Sequence, residues 1–136
     1  MYRRRRKRNN TPVKWERDDE ILTRVEKLVN ELQIEWVDIN GIHTFRSYNS
    51  SSNAIARIWG LSKIWQMAID QGPTYIIEVI SEKFDRLSEH QKNEVILHEL
   101  AHIPRNFSGA LMAHSHGKGA FHDKLKLFLN SYRKMK

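Results

Sequence analysis

This chain reads as an α+β fold in which helices pack on a small sheet, antiparallel or mixed, and three observations point to it. Apolar residues recur at helical spacing near both ends of the chain, over residues 18–32 and 120–132. Short runs of β-branched and aromatic residues lie between them, the strongest being Thr74-Tyr75-Ile76-Ile77-Glu78-Val79-Ile80. A mostly apolar helical segment, residues 89–103, directly follows that run.

The elements follow in order. Ile21, Leu22, Val25, Leu28, Val29 and Leu32 form the apolar stripe of the first helix, and Asp18, Asp19 and Glu20 suit the positive end of its dipole. Residues 34–39 alternate in the manner of a strand, and Asn40-Gly41 after them is the dipeptide typical of a tight hairpin, with His43 to Tyr48 as the returning strand. A polar loop from Asn49 to Asn53 leads to a third strand over residues 54–60. Residues 61–68 fit either a short helix or a covering loop, and Gln71-Gly72-Pro73 breaks the chain before the fourth strand at 74–80. Ser88 and Gln91 match a capping box that opens the helix ending at Pro104. Residues 106–118 form a glycine-containing loop, and Phe121, Leu125, Phe128, Leu129 and Tyr132 line the last helix.

Composition bounds the class. With 136 residues, 40% of them hydrophobic, the chain can bury one modest core. It reads as a basic arm over residues 1–12 and a single domain over 13–136. No apolar run approaches a membrane span and the basic start has no apolar segment behind it, so the expected location is the cytoplasm. The absence of cysteine removes disulfides and thiolate ligands, leaving His, Asp and Glu as metal donors. The net charge of +7 is concentrated between Arg3 and Arg8, whose six cations leave 17 basic against 16 acidic residues elsewhere. Such an arm suits contact with nucleic-acid phosphates or serves as a solubilising tail, while the body is near neutral. Trp36, Trp59 and Trp65 are expected in the core or at an interface.

The chemistry concentrates in His98-Glu99-Leu100-Ala101-His102. Two histidines four apart share one face of a helix and can bind one Zn²⁺, and a glutamate between them is placed to take a proton from an attacking water. Composition alone predicts roughly 0.03 such pentapeptides per shuffled chain, so chance is a weak explanation. A catalytic zinc needs a third protein ligand, and five of the seven histidines fall between residues 98 and 122. His114, His116 and His122 are the candidates, with Asp123 and Glu94 behind them. Arg105, Lys118 and Tyr132 read as structural.

The chain resembles the SprT-like zincin metallopeptidases, and more closely the phage and archaeal metallopeptidases related to them. The likeness rests on Phe84-Asp85-Arg86-Leu87-Ser88, His98 to Pro104, Phe107-Ser108-Gly109-Ala110-Leu111 and Tyr75 to Val79, and covers residues 17–132. It implies a zincin-like domain binding one Zn²⁺ and hydrolysing a protein or peptide substrate, with Glu99 as general base. The SprT-like pattern, a His-Gly pair before the final helix, selects His116 as third ligand beside His98 and His102; the phage-like pattern selects His114. The resemblance also implies that an extended substrate adds to a sheet edge, a role open to residues 74–80 if they lie there. With the basic arm, it suggests a peptidase acting on nucleic-acid-associated proteins. The competing reading is a non-catalytic nucleic-acid-associated protein with a structural zinc site, His114 and His116 supplying both remaining ligands, and an Arg-rich binding arm.

Overall fold

The computed structural model describes residues 11–114 and 118–135, which form a four-stranded mixed sheet and five α-helices. In chain order these are β1 (Lys14–Arg17), α1 (Asp19–Glu31), β2 (Ile42–Tyr48), β3 (Ala56–Gly60), α2 (Lys63–Ala68), β4 (Tyr75–Ile80), α3 (Ser81–Phe84), α4 (Glu89–Ala101) and α5 (Ala120–Lys134). The strand order is β1-β2-β4-β3, with β2 and β4 parallel and the outer pairs antiparallel. The expected mixed α+β class is what is found.

Local chemistry accounts for the helix starts. Asp18 caps α1 by accepting the Ile21 N–H at 3.1 Å, and Ser88 and Gln91 form the expected capping box on α4. The stripe Ile21, Val25 and Leu28 of α1 and the residues Ile96, Leu97 and Leu100 of α4 bury themselves against Tyr75, Ile77 and Val79 of β4. Phe121, Phe128 and Tyr132 of α5 complete this core, which lies on one side of the sheet.

Residues 34–39 are not a strand, and Asn40-Gly41 is not a hairpin turn. The Asp38 carboxylate accepts the Asn40 N–H at 3.0 Å and opens a 3-10 turn over Ile39–Gly41, while Ile34 and Val37, three apart, both point into the core. Gly41 is required for another reason: a Cβ there would lie 2.8 Å from the Phe107 ring and 2.9 Å from the Pro73 carbonyl oxygen. The missing strand is replaced by β1, whose four residues are all exposed and which pairs with β2 through its backbone. Residues 61–68 resolve as the short α2, and α3 is a single turn that the sequence reading lacks.

The strand at 74–80 is central, between β2 and β3, so it offers no edge. The edge on the α4 side belongs to β3. Trp36 stacks on Phe128 with ring centroids 6.3 Å apart, as a core residue does, but Trp59 and Trp65 stand out from the surface at 49% and 60% exposure. The sheet face opposite the core carries a shallow depression of about 280 Å³ lined by Trp15, Phe45, Trp59, Ile76 and Glu78.

Candidate metal centre

His98 sits in the last turn of α4 and His102 caps its C-terminus, so the helical spacing places both imidazoles on one side with ring centroids 5.3 Å apart. The loop after α4 then brings His114 back to them. One ligand nitrogen from each of the three lies within 4.8 Å of the others, and the Nε2 atoms of His102 and His114 are 2.9 Å apart. His116 falls outside the described residues. His122 and Asp123 are exposed on α5, and Glu94 pairs with Arg133 at 2.9 Å. Arg105 and Lys118 are exposed, while Tyr132 is buried and accepts a hydrogen bond from Asn93 at 2.8 Å.

The geometry selects the donor atoms. His102 Nδ1 lies 2.6 Å from the Met112 carbonyl oxygen, which only an N–H can satisfy, so the proton resides on Nδ1 and Nε2 presents a lone pair toward His114. Two imidazole nitrogens 2.9 Å apart need a proton or a cation between them. Tetrahedral zinc at its usual distance from nitrogen sets ligand nitrogens about 3.4 Å apart, so the arrangement fits a divalent ion with little adjustment. Burial, with the neighbouring histidines adding to it, pushes His98 down to about 4, and His102 is lowered chiefly by burial. Both are therefore neutral at physiological pH, the form that coordinates a metal.

Phe121, from the first turn of α5, forms a common wall for the three imidazoles. Its ring stacks on His102 at 4.3 Å and meets His114 at 4.5 Å and His98 at 5.2 Å. Lys124, one turn further on, donates to the Ile103 carbonyl at 2.5 Å with its ammonium 4.6 Å from the Trp36 ring centroid, tying α5 to the end of α4. Burial first, and the Arg105 charge second, lower Lys124 to about 8.

Glu99 is 6% exposed and lines the same cleft as the three histidines. Among the described residues no hydrogen bond reaches its carboxylate, and burial pushes its pKa up to about 8. A divalent cation beside it favours the charged form and draws that value down. The cleft has a volume of about 1000 Å³, with α4 and the 111–114 segment on one side and β3 with the residues before it on the other. Ile55, Ile58, Val95 and Leu111 make its lining largely apolar.

The loop that carries His114 is held from several directions that the sequence reading did not anticipate. The Tyr75 hydroxyl accepts the Gly109 N–H and donates to the Ala110 carbonyl, both at 2.8 Å. Gln66, buried on α2, donates from Nε2 to the carbonyls of Leu61 and Ser108, both at 2.8 Å. Gly60 and Gly109 let the backbones meet: a Cβ on Gly60 would lie 2.1 Å from the Gly109 carbonyl oxygen, and Gly109 itself has φ +95°. The two glycines are the only sequence signal for this contact, since an isolated glycine in a strand marks a close backbone approach; nothing in the sequence distinguishes Gln66.

No curated protein and no solved structure matches this chain. The family model described as "Putative phage metallopeptidase" matches residues 13–133, which include the whole sheet, the cleft and all three histidines, and the chain belongs to that family.

Proposed function

We propose that this protein is a zinc-dependent endopeptidase of the SprT-like zincin kind, with His98, His102 and His114 holding the ion and Glu99 acting as general base. The observation that carries the reading is the convergence of three imidazole nitrogens within 4.8 Å on the wall of an apolar cleft that also contains a buried carboxylate with no hydrogen bond among the described residues. A Zn²⁺ ion, when bound, supplies Lewis acidity that polarises a carbonyl and makes a water nucleophilic near neutral pH. The chain's own residues do the rest. Glu99 takes the proton from the attacking water and returns it to the departing amine nitrogen. Phe121 packs against all three imidazoles and fixes the wall on which they stand.

The substrate is an extended segment of protein or peptide. β3 pairs only with β4 among the described strands, so its outer edge is free to accept backbone hydrogen bonds, and residues 54–58 line the cleft directly across from α4. The edge role considered for residues 74–80 thus passes to β3. The apolar cleft lining favours apolar side chains next to the cleaved bond.

The test is zinc content and hydrolysis of a denatured generic protein, for the wild type and Glu99→Gln. One zinc per chain in both proteins, with hydrolysis confined to the wild type, is the expected result. Zinc in both and hydrolysis in neither overturns the peptidase reading in favour of a structural ion.

A further inference from the structure

The helix α2 is built inside out. Its buried side chain is the polar Gln66, whose amide donates to the carbonyls of Leu61 and Ser108, while Ile64, Trp65, Met67 and the capping residue Ile69 are 55–75% exposed. At about 100° per residue, Trp65 and Met67 flank the inward Gln66 and Ile64 lies nearly opposite it, so apolar side chains occupy most of the outer surface. These four residues leave on the order of 500 Å² of apolar surface in water, the size of a functional patch and more than singly scattered residues provide.

The patch continues into the cleft. Leu111, itself 43% exposed, lines the cleft and packs beside the end of β3, where a Cβ on Gly60 would lie 3.4 Å from its Cγ. Just before it, Ser108 and Gly109 meet α2: a Cβ on Gly109 would lie 2.4 Å from Gln66 Nε2. One short stretch, residues 108–111, thus joins α2 to the cleft wall. β3 leads the same way. The Ile80 N–H donates to the Ile55 carbonyl and the Leu61 N–H to the Thr74 carbonyl, both at 2.9 Å, which in an antiparallel pair turns residues 55, 57, 59 and 61 toward β4. The N–H and C=O groups of Ala56, Ile58 and Gly60 therefore face the open edge. β3 rises about 13 Å from Ala56 to Gly60 and α2 starts three residues later, so an extended chain paired with this edge comes to α2 within about eight residues of the cleft.

Size and charge identify the occupant. A stable complex between folded surfaces buries about 800 Å² on each partner, more than α2 offers, so this patch alone holds neither a second copy nor a folded partner. A lipid surface is poorly matched, since the helix has only six residues and its flanking charges, Lys63 and Asp70, cancel. An extended polypeptide needs only a small patch, because the β3 edge and the cleft supply its remaining contacts. We infer that α2 is an accessory substrate site, on which Ile64, Trp65, Met67 and Ile69 receive apolar side chains of an unfolded polypeptide while neighbouring residues of that chain pair with β3. Unfolded chains expose apolar side chains and unpaired backbone together, and folded ones do not, so α2 selects unfolded protein. This role rests on the peptidase reading of the cleft, although the binding step itself requires no hydrolysis.

The experiment uses the zinc-loaded full-length protein and three labelled peptides: a core of about eight residues flanked at both ends by Leu and Phe, the same core flanked by Ser, and the core alone. Binding is read by fluorescence anisotropy with Glu99→Gln, and hydrolysis with the wild type. The Leu/Phe-flanked peptide is expected to bind at least about tenfold more tightly than the other two. Trp65→Ser and Met67→Ser together remove that advantage and, in the chain that keeps Glu99, raise KM for this peptide by about the same factor with little change in kcat. The effect is confined to the Leu/Phe-flanked peptide, and zinc content and thermal midpoint are retained because both side chains stand in water. Equal binding of the two flanked peptides, or an advantage that survives both substitutions, would each overturn the inference. So would a dimer, or binding to phosphatidylcholine vesicles, that the two substitutions abolish, since the patch would then serve a second copy or a lipid surface. Binding that depends on Trp65 and Met67, with no peptide hydrolysed by the wild type, supports α2 as a docking site for unfolded chain and overturns the peptidase reading alone.

Discussion

His102 and Met112 are joined twice. The Met112 N–H donates to the His102 carbonyl at 2.7 Å, and His102 Nδ1–H donates back to the Met112 carbonyl at 2.6 Å. The first bond satisfies a free carbonyl at the end of α4, and the second selects the imidazole tautomer. The segment that makes both bonds is the same one that delivers His114 two residues later.

His114→Ala is therefore expected to weaken zinc binding by at least about tenfold in a competition titration with a chromogenic chelator, with the fold retained. His116→Ala is the control. If the second substitution, and not the first, releases the ion, the third ligand is His116.

Gln66→Ala removes the hydrogen bond that ties α2 to the ligand loop at Ser108 and the one it makes to Leu61, and leaves both carbonyls without that partner. Stability measured by urea unfolding should fall by about 1–3 kcal/mol. Zinc affinity should fall as well, although Gln66 touches none of the three histidines. An unchanged affinity at reduced stability would mean that the loop keeps its place without this tether.

Phe121→Ala opens a cavity against three imidazoles at once, and a loss of about 3–5 kcal/mol is expected from the size of the deletion. Phe121→Leu keeps most of the apolar volume and should recover most of the stability. The difference between the two variants in zinc affinity measures how far a flat wall, as opposed to a filled one, orients the ligands.

Acid should weaken the fold through carboxylates far from the metal centre. Burial pushes Asp18 up, but the hydrogen bonds from Arg46 and the Ile21 N–H and the Arg46 charge together outweigh it and hold the group below its ordinary 3.8. Glu78 behaves alike, with burial opposed successfully by Arg57 and Trp59. A carboxylate depressed in the folded state contributes stability that is fully present above its unfolded pKa and lost as pH falls through its folded one. Unfolding free energy should therefore decline below about pH 4, and Arg46→Gln should flatten that decline because Asp18 then titrates closer to its unfolded value. Urea denaturation at pH 6 and pH 3 for both proteins checks the sign.

Much of this was legible from residue patterns, for identifiable reasons. The stripe of α1, the capping box of α4 and the β-branched run of β4 are local signals, and each produced the element it encodes. The pentapeptide from His98 to His102 is local too, which is why two of the three clustered histidines could be named from spacing. The errors arose where the deciding interaction is distant or has no side-chain signature. β1 is a strand only because β2 offers it a ladder, and its exposed Lys14-Trp15-Glu16-Arg17 carries no apolar alternation. Asn40-Gly41 carries a strong hairpin signal, yet Asp38 captures the Asn40 N–H and the Phe107 ring occupies the space above Gly41. The phage-like and SprT-like patterns disagreed over the third ligand because that choice depends on how a loop folds over Tyr75 and Gln66, 35 to 45 residues earlier in the chain.

The close meeting of Gly60 with Gly109 carries a consequence for the order of assembly. His98 and His102 become neighbours as soon as one helical segment forms, a local event. His114 joins them only after chain regions almost fifty residues apart have docked, which requires the sheet to be in place. A nascent or partly unfolded chain thus presents a two-toothed chelate of low affinity, and the full set of three donors exists only in the finished molecule. Retention of a metal ion by these three histidines would in this way report on completed folding.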